Sequence, residues 1–490
     1  PKLSELDLCD LIPTVEELEH RKDGAYEFRI TPRRGGLGQA VVFVNGIEVK
    51  RLEVNQLVPS GNDYLLVLPT SEVEPYFVAG QSNKVSVRAF TKKNDIGSRG
   101  ATVETVSEKK SDPPALHAVV VGVSDYKGDA LDLKYAAKDA RDFSNALNTA
   151  AGKLFNFDGT NRIHLYPIHT EADRKFFPDK KSIQSVFESI GKQAQPNDVL
   201  LIFFAGHGVM NTSDQQFYFL TADASAMANP EGAGISTKEL FEWIQPSRIK
   251  AQKRVLILDA CNSGQAINDI VKLGDANQGY TGARSDEQGK FIKAIDKLNE
   301  RSGLFILSAA ASDQSAYEMG RYNQGVLTYA LLKSAKEDPS VLEGSQFLNL
   351  GQWFDVAQRL VEDIAASSGA RQQPQVVRTT NFNIGVVDEE VRKKIVLAKE
   401  KRVFSNCIFQ DEVVPVDKLN LNKLLDKELS DLASRNADNS IVFYPGSTST
   451  EAYQLTGRYT VSGTTVTLNV FLLHRGEVMK TTQLKGDTKE

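Results

Sequence analysis

Two hydrophobic patterns divide the chain. Between residues 26 and 106, apolar and polar positions alternate in short runs (YEFRI, AVVFVNGIEVKRLEV, DYLLVLP, NKVSVRAF, ATVETV) broken by Arg34-Gly35-Gly36, Asn45-Gly46, Ser60-Gly61-Asn62-Asp63 and Asn94-Asp95. Strands of this length at roughly ten-residue spacing predict a small β-sandwich over 26–106. The residues before it, 1–25, are mixed and charged and read as a helical or irregular lead-in. After it, Ser107-Glu108-Lys109-Lys110-Ser111-Asp112-Pro113-Pro114 reads as a linker over 107–114.

From residue 115 the pattern changes. HAVVVGV (117–123) is unbroken apolar sequence, the mark of a strand covered on both faces of a parallel sheet. Amphipathic helical stretches near 131–147, 181–194, 236–245, 325–336 and 351–367 alternate with further apolar runs: IHLYPI, DVLLIFFAG, RVLILDA and LFILSAAA. Strand and helix in alternation predict an α/β domain with a mostly parallel sheet, spanning 115–387. Beyond it, 388–490 opens on a Lys/Arg/Glu-rich stretch expected to be helical. A helix near 417–435 and a hairpin turning at Ser462-Gly463 then predict a small α/β module.

At 490 residues the chain is expected to hold about three domains. Its net charge of −5 and the absence of a basic block give no reason to expect nucleic acid or an anionic membrane as partner. Three scattered cysteines, Cys9, Cys261 and Cys407, make neither a disulfide framework nor a CxxC zinc pair. That fits a reducing compartment, so a cytoplasmic location is expected, with no metal and no cofactor. No apolar run reaches the 18 residues of a membrane span. The chain starts without Met and stops in polar sequence, as a segment of something longer would.

Two apolar strands each run into a reactive side chain. LLIFFAG leads to His207-Gly208, and VLILDA to Cys261-Asn262-Ser263-Gly264. If both strands belong to one parallel sheet, their carboxyl ends lie side by side, where active sites of such sheets form. An imidazole beside a thiol generates the thiolate that attacks carbonyl carbon. Gly208 and Gly264 let a substrate backbone approach, and the amides of Gly208 and Cys261 are the expected oxyanion donors. Either residue alone has a bland reading, since a lone cysteine after a buried strand is usually a core thiol. The pair, in the order His then Cys and 54 positions apart, is the specific signal.

The segment HAVVVGVSDYKGDALDLKYAAKDARDFSNAL, followed by FFAGHGV, LDACNSG, LSAAASDQSAYE and NQGVLTYALL, resembles the peptidase domain of caspase-like cysteine peptidases (peptidase family C14) of the bacterial metacaspase and orthocaspase type. The resemblance covers roughly 115–385. It implies a six-stranded sheet flanked by helices and a cysteine endopeptidase with His207 as base and Cys261 as nucleophile.

True caspases carry Gln two residues before the nucleophile; this chain has Asp259 there. In the metacaspase type that acid, with a second in the helix after the first strand (here Asp139), implies an S1 pocket for Arg or Lys, to which Ser308 is also assigned. Substrates are therefore expected to be proteins or peptides cleaved after a basic residue. The loop 265–302 corresponds by analogy to a linker cut during self-processing, with Arg284 and Lys290 as candidates; a plain flexible insertion is an equal alternative. Asp214 and Asp223 follow the histidine as isolated acids, so calcium binding is not expected.

The sandwich is expected to be immunoglobulin-like. The module at 388–490 is loosely similar to envelope and signalling modules of the TolB/FlgO type, without catalytic residues, and His474 there reads as structural or solvent-exposed. The competing hypothesis is a caspase-like scaffold or sensor acting through flanking modules that bind an unknown regulator.

Overall fold

The computed structural model describes residues 11–18, 24–94, 96–171, 177–214, 216–261, 263–267, 269, 303–311, 314–368, 370–378, 380–434, 440–446 and 451–488. At its centre lies a six-stranded sheet. In chain order its members and flanking helices are β1 (Leu116–Gly122), α1 (Ala136–Phe155), β2 (Ile163–His169), α2 (Lys180–Gln193), β3 (Val199–Gly206), α3 (Thr237–Ile244), β4 (Lys253–Ala260), β5 (Leu304–Ser308), α4 (Val326–Glu337), α5 (Leu350–Ser367) and β6 (Gln375–Val377). The spatial order is β2-β1-β3-β4-β5-β6. Neighbours are parallel except β6, which runs antiparallel to β5. The architecture is thus the α/β fold with a mostly parallel sheet that the alternating pattern implies.

The unbroken apolar runs are explained by layers on both faces. Leu116, Ala118 and Val120 of β1 pack with Phe143 of α1, Leu327 and Leu331 of α4 and Phe354 of α5. Val119 and Val121 point the other way, into a layer with Ile183 and Phe187 of α2 and Trp243 of α3. Helix starts follow local chemistry. Asp179 accepts the Ser182 amide at 2.8 Å, and Ser236 with Glu239 forms a reciprocal capping box.

Residues 25–106 form two antiparallel sheets, one of four strands and one of three, packed on a common core that includes Phe28, Val42, Leu68 and Val87. The lead-in differs from expectation. Thr14–Glu17 is a strand, pairing antiparallel with residues 28–31 at the edge of one sandwich sheet. A short polar run had no apolar alternation to announce it; the open edge beside it supplies the partner groups. The sandwich touches the base of β4, where the Asn45 side chain donates to Gln252 at 3.2 Å and Gln252 donates to the Tyr76 carbonyl at 2.6 Å.

In the C-terminal part, the charged stretch is helical only over Glu389–Lys394. Arg402–Phe404 then pairs parallel with Ile441–Phe443, and Ile408–Asp411 runs parallel to a three-stranded meander, Gln454–Ser462, Thr465–His474 and Glu477–Asp487. The helix Leu421–Ser434 accompanies them. His474 stacks on Tyr453 with ring centroids 4.2 Å apart. Among the described residues, no helix is long and apolar enough to cross a membrane.

One buried cation holds the entry to β4. Arg254 is fully buried, and its guanidinium donates to the carbonyls of Ala251, Ile244 and Ile249, the second of these the last residue of α3. Burial lowers its pKa to about 9. Removing it strands three buried acceptors, so Arg254→Leu is expected to cost about 3 kcal/mol or more of unfolding free energy, read as a lower urea midpoint with unchanged slope.

Candidate active site

The pairing of β3 with β4 sets the site. Their register ends at Gly206 opposite Ala260, so His207 and Cys261 are the next residues out of two adjacent strands. The chains stay in contact beyond the sheet: a Cβ added to Gly208 would fall 2.3 Å from the Cys261 carbonyl oxygen and 2.4 Å from the Phe217 ring. Only glycine fits there, and the structure brings His207, Gly208 and Cys261 together.

The imidazole is fixed from one loop. Nε2 of His207 lies 2.7 Å from the carbonyl oxygen of Leu131. A carbonyl only accepts, so Nε2 carries the hydrogen and the neutral ring keeps its lone pair on Nδ1. From the same loop, the Tyr126 hydroxyl oxygen accepts the His207 backbone N–H at 2.9 Å, and its ring sits 5.2 Å from the imidazole, centroid to centroid. Burial pushes the Tyr126 phenol far up, so it stays neutral. Neither partner was singled out in the sequence: a backbone carbonyl carries no residue signature, and Tyr126 lies in a segment that announced only a loop.

The Cys261 thiol is half-buried and donates to the Ala316 carbonyl at 3.5 Å. Burial raises its pKa, and the negative charge of Asp259 acts in the same direction. The resting sulfur is therefore a thiol, and a thiol attacks a carbonyl only after a base has taken its proton. Asp269 ties the segment after the cysteine to the hairpin after the histidine by accepting the Phe217 amide at 2.5 Å.

Behind the thiol lies an acid pair. Asp139 stands in the first turn of α1 and Asp259 near the end of β4, both buried. They meet at the start of α4: Asp139 Oδ2 accepts the Gly325 amide at 2.9 Å, and Asp259 Oδ2 accepts the Thr328 amide at 3.1 Å and its hydroxyl at 2.6 Å. A Cβ on Gly325 would lie 2.9 Å from a carboxylate oxygen of each. Asp139 Oδ1 is buried without a hydrogen-bond partner. Burial holds Asp139 well above the usual carboxylate range, with the Asp259 charge adding to it. Burial likewise pushes Asp259 up to about 6, against the two Thr328 bonds that oppose it.

A third acid, Glu318, bears on both. Its carboxylate accepts the amides of Lys134 and Tyr135 at 3.0 and 2.9 Å, just ahead of α1. The sequence held it in plain view within QSAYE, but only the fold brings residue 318 beside residue 135.

Ser308 does not join this pocket. It pairs with Leu258 rather than Asp259, so side-chain alternation turns it to the opposite face of the sheet, where its hydroxyl donates to the Ala310 carbonyl at 3.3 Å. The adjacent Ala310 N–H donates to Ser263, so this region braces the segment after Cys261. Arg284 and Lys290 lie outside the described residues. Asp214 accepts the Tyr218 hydroxyl at 2.7 Å. Among the described residues no group of three His, Cys, Asp or Glu side chains is arranged to hold a metal ion.

A family model described as "Caspase domain" matches residues 115–383, more than half of the chain. This chain belongs to the caspase family. Its caspase domain is accordingly a cysteine peptidase domain, and the strand-end pair lies inside the matched region. No curated protein sequence matches the chain. Among solved structures, one that it aligns with is a glycosyl hydrolase family 2 member from Bacteroides cellulosilyticus, at 11% identity, over 58% of this chain and 36% of that one, with a TM-score of 0.14. A likeness that slight carries no argument about the caspase domain.

The acid pair has a cost that can be measured. A carboxyl whose folded pKa lies above its unfolded 3.8 keeps its proton longer when folded. The folded state then binds more protons across the window from about 4 to about 6, so stability falls as pH rises through it and the penalty persists above. Asp139→Asn keeps an acceptor for Gly325 and removes the repulsion. It is expected to raise the melting temperature at about pH 7.5 and to change it little at about pH 4; equal melting at both would contradict the assignment.

Proposed function

We propose that this chain is an endopeptidase that uses His207 and Cys261 to hydrolyse peptide bonds after Arg or Lys. Nδ1 of His207 takes the thiol proton, while Leu131 holds the other nitrogen. Sγ attacks the carbonyl carbon of the scissile bond, and the amides of Gly208 and Cys261 receive the oxyanion. Collapse breaks the C–N bond as the imidazolium returns its proton to the leaving amine. Water, deprotonated by the freed imidazole, then cleaves the thioester.

The observation that carries the basic specificity is the buried Asp139–Asp259 pair with an unpartnered Oδ1 on Asp139. Burial, with the charge of one acid on the other, makes two converging carboxylates retain a proton. A guanidinium or ammonium side chain would supply the charge and the hydrogen-bond donors together. An aspartate side chain would instead bring a further negative charge beside these acids. Self-processing after Arg284 or Lys290 follows from the same specificity and belongs to this proposal.

A positional-scanning peptide library tests it. The wild-type protein is expected to release fluorophore after Arg or Lys and not after Asp, and Cys261→Ala to show no turnover; hydrolysis persisting in Cys261→Ala removes the nucleophile from the argument. Gly208→Ala, which pushes against the Cys261 carbonyl, is expected to lower kcat on the order of 10²-fold.

A further inference from the structure

The acid pair is covered, and the cover is one small hairpin. Glu318–Met319 pairs antiparallel with Gln324–Gly325, and residues 320–323 make its turn. The base of the hairpin and the segment just before it reach the thiol, the start of α1 and the acid pair. Just before it, the Ala316 carbonyl accepts from the Cys261 thiol; within it, Glu318 meets the start of α1, and Gly325 sits against both aspartates. A Cβ at Gly325 would meet a carboxylate oxygen of each aspartate at 2.9 Å, so the hairpin base lies directly against both acids.

The tip of the hairpin is held from outside the caspase domain. The Gly320 amide donates to the Tyr444 hydroxyl at 3.2 Å, the Lys401 amide donates to the Arg321 carbonyl at 2.9 Å, and Arg321 pairs with Glu400 at 3.1 Å. Glu400 also accepts from Tyr329 of α4 at 2.7 Å and pairs with Lys333 at 3.1 Å. Tyr444 directly follows Ile441–Phe443, whose partner strand Arg402–Phe404 directly follows Lys401. The three contacts on the tip therefore come from one continuous unit, residues 400–404 with 441–444.

We propose that the C-terminal module is a latch on the P1 pocket: Tyr444 and the 400–401 segment hold the 318–325 hairpin down over Asp139 and Asp259, and the pocket admits a basic side chain when that grip loosens. The inference rests on the peptidase reading above for its consequence, but its physical content is the grip itself. Tyr444 acts through the hairpin and touches no reacting atom, so it is a positioning residue. Its hydroxyl is partly exposed, and each of the three contacts is a single bond at the surface. A partner that engages the 402–488 module thus works against these few contacts, not against a buried core.

The test uses the full chain with Tyr444→Phe, which keeps the ring and removes only the acceptor for Gly320, and with Glu400→Gln, which weakens the hold on Arg321. Hydrogen exchange read at residues 318–325 is expected to speed up about two- to tenfold in each variant. KM for an Arg-terminated peptide is expected to fall by a similar factor with kcat unchanged. Unchanged exchange in both variants overturns the latch, whatever the catalysis shows. A rise in KM overturns it as well, because the contact would then prop the pocket open. Faster exchange with no Cys261-dependent turnover in any form, wild type included, leaves the grip standing and removes the peptidase reading instead.

Discussion

The parallel pairing of β3 with β4 is the constraint on which the site depends. Eight matched residue pairs, from Val199–Lys253 to Gly206–Ala260, end both strands at the same height, and the next residues out are the imidazole and the thiol. A one-residue slip would turn either side chain to the other face of the sheet. The register is fixed because both faces are buried: Leu201 and Phe203 pack on one side, Leu200, Ile202 and Phe204 on the other. The placement of the imidazole and the thiol is thus set by hydrophobic packing well below them. The close fit of Gly208 on the Cys261 carbonyl carries that alignment past the end of the sheet.

The acids around that alignment work against stability. Asp139, Asp259 and Glu318 gather at two helix starts, where backbone amides partly compensate their charge. Burial outweighs that compensation for the two aspartates, and both stay protonated above the usual range. A carboxylate pair kept dry and one donor short is poorly suited to holding a fold together. Under the proposed specificity it is the site that receives a cation, the usual relation between strained electrostatics and a binding site.

The hairpin 318–325 connects this pocket to the rest of the chain. Its base lies on the nucleophile and the acids, and its tip on residues 400–401 and 444. The sandwich, by contrast, meets the opposite end of the sheet, at Gln252 before β4. The two flanking units thus reach the caspase domain from different ends, and among the described residues the C-terminal one holds the loop beside the acid pair.

The amino-acid sequence by itself determined the α/β alternation, the apolar runs of the central strands, the family resemblance and the ends at which His207 and Cys261 stand. Those are local properties: a strand buried on both faces must be apolar throughout, and a reactive residue after it shows by contrast. Tertiary structure alone decided the rest. The Leu131 carbonyl has no side chain to announce it, Glu318 reaches Tyr135 across 183 positions, and Ser308 went to the wrong pocket because its face depends on pairing with Leu258. Thr14–Glu17 became a strand only because an open sheet edge lay beside it. Contacts between residues far apart in the chain are set by packing the whole domain, and no window of sequence holds that information.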